Sequence, residues 1–127
     1  MNAQWQNQLN FFRTLTLRRV WNMVKVYLSF HLSKATKKPI QWGMPFSISV
    51  EPTTSCNLRC PECPSGLRAF TRPTGMLQTE TFRTIIDQVH LHVNYLTFYF
   101  QGEPYLHKEF LEMVKYASDK GIYTSTS

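Results

Sequence analysis

The sequence predicts an α/β domain with parallel strands, preceded by an N-terminal amphipathic helix. Three observations lead there. β-rich runs at residues 46–50, 95–100 and 122–126 are separated by stretches with helical periodicity at 79–92 and from 107 onward. That strand–loop–helix alternation implies parallel strands joined by right-handed crossovers. Ahead of it, residues 5–33 place apolar side chains at three- and four-residue steps without a single acid.

The N-terminal helix is drawn from Trp5, Leu9, Phe12, Leu15, Val20, Val24, Tyr27 and Leu28, with Arg13, Arg18, Arg19 and Lys25 between them. Such a helix packs its apolar stripe on the following domain or lies on an anionic surface. The first reading is preferred here, and no membrane surface is expected. Residues 34–43 read as a linker, with Lys37-Lys38-Pro39 and Gly43 as breakers. Residues 46–50 alternate apolar and small polar side chains and form the first strand, which Pro52 ends. An irregular stretch punctuated by Pro61, Pro64, Gly66, Pro73 and Gly75 runs to Met76, and a loop of that length is usually functional or disordered. Thr79 is placed to cap the next helix, whose buried stripe is Phe82, Ile85, Ile86 and Val89. The second strand ends at the Gly102 turn. The helix after it buries Phe110, Met113, Val114 and Ala117, and Gly121 stands where a left-handed C-cap would stop it. Residues 122–126 form the third strand, within which the chain ends.

With 127 residues, 43% of them hydrophobic, the chain can build one core and is not of the disordered class. Its formal charge of +6 is unevenly placed. All seven basic residues of the first fifty are unopposed, whereas residues 51–127 carry seven basic and eight acidic side chains. The basicity therefore belongs to the extension, and no nucleic-acid partner is expected. No apolar run approaches the roughly 20 residues of a membrane span, and no signal-peptide pattern opens the chain. Unpaired cysteines suit a reducing compartment, so a cytoplasmic location is expected.

The three cysteines, Cys56, Cys60 and Cys63, stand at C-x3-C-x2-C spacing in one Pro- and Gly-flanked loop. Cysteines that only pack are scattered singly through a core. A disulfide reading leaves one thiol over. Metal ligation remains, and the count bears on the metal. Structural zinc takes four protein ligands, and a four-iron cluster is normally held by four thiolates. Three thiolates would leave one iron of a cluster open to another ligand. Zinc would recruit a histidine, for which His90, His92 and His107 are the nearby candidates; a surface role suits the first two, and a role in starting the second crossover helix suits His107.

This arrangement resembles the radical S-adenosylmethionine (radical SAM) superfamily, whose defining motif has the same spacing. The likeness extends from the run Glu51-Pro52-Thr53-Thr54-Ser55-Cys56 into the loop and to Gln101-Gly102-Glu103-Pro104, which resembles the family's G-G-E-P turn. It spans roughly residues 46–127. The resemblance implies the first half of a partial (β/α)6 barrel, with residues 1–44 as a helical extension and linker and 45–127 as the N-terminal half of the core. It implies that Cys56, Cys60 and Cys63 hold a 4Fe-4S cluster whose open iron takes S-adenosylmethionine, and that Gly102, Glu103 and Pro104 bind the cofactor's amino group. It further implies an electron donor such as flavodoxin or ferredoxin, reductive cleavage to a 5′-deoxyadenosyl radical, and hydrogen abstraction from a substrate, with a peptide or protein as one class. Such a piece of the barrel alone is expected to be inactive.

The sequence departs from the family twice. Gln101 replaces the first glycine of the turn, and Glu62 stands where an aromatic residue often lies near the adenine, so adenine packing there is not expected. Ser125 and Thr126 could reach the site from the end of the third strand, or simply be exposed polar residues. The alternative reading is a non-catalytic zinc or iron–sulfur module on the same thiols, which would have no use for Glu103.

Overall fold

The structure, a computed structural model, describes residues 3–126, with side chains from Trp5 onward. Three short strands, β1 (Ser47–Ser49), β2 (Tyr95–Thr97) and β3 (Tyr123–Ser125), form a parallel sheet in sequence order. Ser47 pairs with Tyr95, and Tyr95 with Tyr123, so the three strands begin level. The crossovers are α3 (Thr79–Val89) and α4 (Phe110–Asp119). The parallel α/β class expected from the sequence is what the chain adopts.

The core lies between sheet and crossover helices. Phe82 and Ile86 of α3, Phe110, Met113 and Ala117 of α4, and Leu96, Phe98 and Ile122 around the strands are all buried. Phe98 joins the two helices, its ring 5.5 Å from Phe82 and edge-on to Phe110 at 5.3 Å. Truncating such a residue typically costs about 3–5 kcal/mol. Gly121 ends α4 at φ +72°, and the Ile122 amide reaches back to Ala117 O at 3.1 Å, the hydrogen bond of a left-handed helix stop.

Three local expectations change. Thr79 is the first residue of α3 and not its cap; Gln78 precedes it with no side-chain cap, and the Thr79 hydroxyl turns instead to Glu109. A short 3-10 helix, Pro104–Leu106, intervenes before α4. The N-terminal extension is two helices, α1 (Ala3–Arg13) and α2 (Leu17–Thr36). The break follows from threonines: the Thr14 hydroxyl bonds back to Phe11 O, and the Thr16 hydroxyl caps α2 by accepting from the Arg19 amide.

The packing of α2 overturns the expectation that its apolar stripe faces the domain. Its buried residues are Arg19, Asn22 and Ser29, while Leu17, Trp21, Tyr27 and Leu28 are exposed. The Arg19 guanidinium donates to Thr14 O between α1 and α2, and to His90 O, Lys120 O and Gly121 O at the C-terminal ends of α3 and α4, where unpaired carbonyls gather. Asn22 both donates to Met44 O and accepts from Met44 N. Every one of these contacts outside the extension lies on a residue that precedes a strand, so α2 closes the N-terminal end of the sheet. Among the described residues, no helix is long and apolar enough to cross a membrane.

Candidate functional site

At the opposite end, the chain leaves β1 and enters a long loop whose neck is tied shut. Thr53 bridges Met76, the Thr54 amide donates to Gly75 O at 3.0 Å, and the Leu77 amide donates to Pro52 O at 2.8 Å. Pro52 and Thr53 are buried, and the Thr53 hydroxyl both donates to Gly75 O and accepts from the Ser55 amide. Farther out, Arg72 on the returning limb donates to both carboxylate oxygens of Glu51 at 2.9 Å and stacks over Phe70. Exposed as it is, this pair fixes geometry more than it stabilises.

The neck presents the three cysteines. Cys56 and Cys63 are half-buried and Cys60 is exposed; all three are free thiols. Residues 60–69 fold back through turn hydrogen bonds, including Cys63 N to Cys60 O and Leu67 N to Cys63 O. Gly66 is required in this turn, because a Cβ there would stand 2.4 Å from Cys60 O and 2.5 Å from Cys60 N. In the same turn the Gly66 amide, then that of Ser65, favour the charged sulfur of Cys63 and hold its thiol below the usual cysteine pKa. Amides aimed at a sulfur favour the thiolate, the form that binds metal.

The turn after β2 docks directly on the start of this loop. The Glu103 amide donates to Ser55 O at 2.8 Å, and the Gly102 amide donates to the buried Ser65 hydroxyl at 3.2 Å. Gly102 has φ +89°, and a Cβ on it would fall 2.1 Å from Thr53 O. Only glycine tolerates both the left-handed angle and the contact. Pro104 is buried at the start of the 3-10 helix, and the Glu103 carboxylate caps that helix by accepting from the Tyr105 amide. Gln101, just before this turn, keeps its side chain toward Arg72, with Oε1 3.5 Å from the guanidinium.

The fold thus brings the cysteine loop and the Gly102-Glu103-Pro104 turn to one end of the sheet, although residue 101 is some forty positions from the cysteines in sequence. Ser65, Thr53 and Ser55 join them; the sequence shows Thr53 and Ser55 as part of the run into the loop but assigns none of the three a contact. Their signal was weak: small polar residues are common beside turns. Other candidates are spent elsewhere. His107 is buried, its Nε2–H donating to Leu77 O and its Nδ1 accepting from the Glu109 amide at the start of α4. His90 bonds Asp87 O through Nδ1, and Glu62 is exposed. A cavity of about 720 Å³ lies between α1 and the starts of the strands, lined by Phe11, Met23, Phe46 and Tyr95, far from the cysteines.

The donor set fits a cluster: three free thiols on one loop, with backbone amides directed at one of them. No three His, Cys, Asp or Glu side chains among the described residues converge on a single-ion site. A single ion needs its ligands on one point, whereas a four-iron cluster would take each thiolate on a different iron.

No family model matches the chain. It is 30% identical over 95 residues to a PqqA peptide cyclase of Bradyrhizobium diazoefficiens, and 28% over 95 residues to one of Rhodopseudomonas palustris. Each alignment takes in 74% of this chain but only 24% and 25% of the relative. The chain therefore spans about a quarter of the length of the curated relatives it matches. A crystal structure of BtrN in complex with AdoMet and 2-DOIA has the same fold over 65% of this chain and 35% of its own, with a TM-score of 0.58 at 23% identity.

Proposed function

We propose that the chain belongs to the radical SAM superfamily and supplies the cluster-binding and cofactor-amine-binding part of a radical SAM enzyme, a reading supported by its likeness to the two PqqA peptide cyclases. One observation carries the reading: the cysteine loop and the Gly102-Glu103-Pro104 turn are hydrogen-bonded to each other through Ser55 and Ser65. A turn needed only to start a helix would not have to dock on a metal-binding loop.

Cys56, Cys60 and Cys63 would hold the 4Fe-4S cluster, and the carbonyls and carboxylate around Gly102, Glu103 and Pro104 would accept hydrogen bonds from the amino group of S-adenosylmethionine. When bound, these cofactors would supply one-electron reductive cleavage of the sulfonium, releasing methionine and a 5′-deoxyadenosyl radical that would take hydrogen from a substrate. The electron comes from a donor of the flavodoxin or ferredoxin type. The residues of this chain position the cofactors. The amides of Gly66 and Ser65 stabilise negative charge on the Cys63 sulfur, and Gly102 keeps the turn against the loop because no side chain intervenes. The Glu103 carboxylate would exchange the Tyr105 amide for the stronger, charge-assisted bond to an ammonium donor. A peptide or protein is the substrate class we favour, since the curated relatives are named for cyclising a peptide.

Anaerobic reconstitution with iron and sulfide tests the reading. One four-iron cluster per chain is expected, lost when any one of Cys56, Cys60 or Cys63 becomes Ala. Stoichiometric zinc with no cluster would return the site to the non-catalytic metal module. Calorimetric titration with S-adenosylmethionine should then show binding weakened by Glu103→Gln, and unchanged binding would remove the turn from the site.

A further inference from the structure

Because α2 docks through its polar side, its apolar side is left to solvent. Leu17, Val20, Trp21, Val24, Leu28 and Leu32 follow one another at helical steps and are all exposed, from 37% for Val24 to 87% for Leu17. They occupy the face opposite Asn22, Val26 and Ser29, which meet the domain and the 40–44 segment. No charged residue interrupts the face. Arg18 and Lys25 flank it on one side and Lys34 on the other, followed by Lys37 and Lys38 past the helix end. Along α1, Trp5, Leu9 and Phe12 form a second exposed apolar row at four- and three-residue steps.

We propose that this face lies on the surface of an anionic lipid bilayer. An isolated exposed leucine means nothing, but an unbroken apolar face on a well-docked helix marks an interaction site. Its chemistry selects the occupant. Tryptophan and tyrosine favour the boundary between acyl chains and headgroups, where the ring is buried and its polar atom stays wet. Lysine and arginine at the borders of such a face extend their charged ends to headgroup phosphates. The first fifty residues contain seven such cations and no acid to repel an anionic surface. A protein partner would have to cover the apolar strip and also bring acidic residues to both of its flanks. An anionic bilayer meets both needs with one surface. The helix would lie in the interface plane and not span it, in keeping with its polar underside and its contacts to the domain. The cysteine loop, at the other end of the sheet, would face away from the lipid.

Flotation of the chain with vesicles tests this. Vesicles of phosphatidylcholine mixed with phosphatidylglycerol should carry the protein upward, and vesicles of phosphatidylcholine alone should carry far less. Trp21→Glu with Leu28→Glu should weaken partitioning roughly 100-fold, from two apolar side chains kept out of the bilayer. Arg18→Gln with Lys25→Gln should weaken it roughly 30-fold on the anionic vesicles only. Both pairs are outside the core, and an unchanged thermal melt confirms that the fold is intact. Strong salt should weaken binding by shortening the electrostatic range. Failure to float with anionic vesicles at low salt would overturn the proposal. So would equal flotation of the Trp21→Glu, Leu28→Glu variant, or a dimer that this variant dissolves while the parent shows no lipid binding. The readout does not depend on the cluster, so a failure here leaves the catalytic reading standing.

Discussion

Replacing Arg19 by alanine should be among the most damaging single changes in the N-terminal extension. The side chain is 3% exposed, and its donors meet four carbonyl groups contributed by three separate stretches of chain. Desolvation by burial lowers its pKa from the usual arginine value, so the site bears a cost for holding the charge. The carbonyls of His90, Lys120 and Gly121 repay it, since they sit at or beyond the C-terminal ends of helices, where a cation is favoured. Charge-assisted hydrogen bonds contribute about 1.5–3 kcal/mol each in favourable cases, but they share one guanidinium and are not additive. Arg19→Ala leaves these carbonyls without their donor, and a buried polar group left unsatisfied costs about 1–3 kcal/mol, so a loss of about 3–5 kcal/mol in all is expected for several of them together. Against a total stability of roughly 5–15 kcal/mol, this is large. Arg19→Lys should fall between, because a single ammonium cannot reach all four carbonyls. Urea unfolding followed by circular dichroism measures each, with Arg18→Ala as an exposed control expected within about 0.5 kcal/mol of the parent. If Arg19→Ala matched Arg18→Ala, the reasoning that α2 is held by this side chain would be refuted.

Gly102→Ala should cost about 2–4 kcal/mol, from the left-handed φ together with a Cβ forced against Thr53 O. Gly75→Ala, with open space around the new Cβ, should be close to neutral by the same denaturant assay. Asp87 provides a pH test. The Lys120 ammonium first, and the Tyr116 hydroxyl next, hold its carboxyl below the usual range. A depressed folded pKa means that its stabilisation is complete above about pH 4, the unfolded value, and fades as pH falls through the folded one. Asp87→Asn should therefore destabilise at neutral pH and converge on the parent in acid; a difference independent of pH would contradict the pairing. Loss of the cluster from each cysteine variant, read by iron and sulfide content, completes the set.

Local chemistry was legible without the fold. The three cysteines stood out as candidate ligands from their number and spacing, because short loops keep neighbours in sequence near in space. The strands and crossover helices showed in their periodicity, and Gly121 announced its stop, since a left-handed residue past a helix end is a local need met by glycine. The parallel sheet followed from the order of elements. What only tertiary structure decided was which surfaces meet. Periodicity locates an apolar stripe but does not say what covers it, and for α2 the sequence pointed the wrong way. The decisive attraction is between Arg19 and carbonyls left unpaired at the ends of two helices about seventy and one hundred residues away, a match that no local pattern encodes. The same holds at the site. Ser65 and Ser55 look like ordinary turn residues until the fold sets the Gly102 turn against them, because hydrogen bonds between distant loops exist only once the strands beneath have aligned.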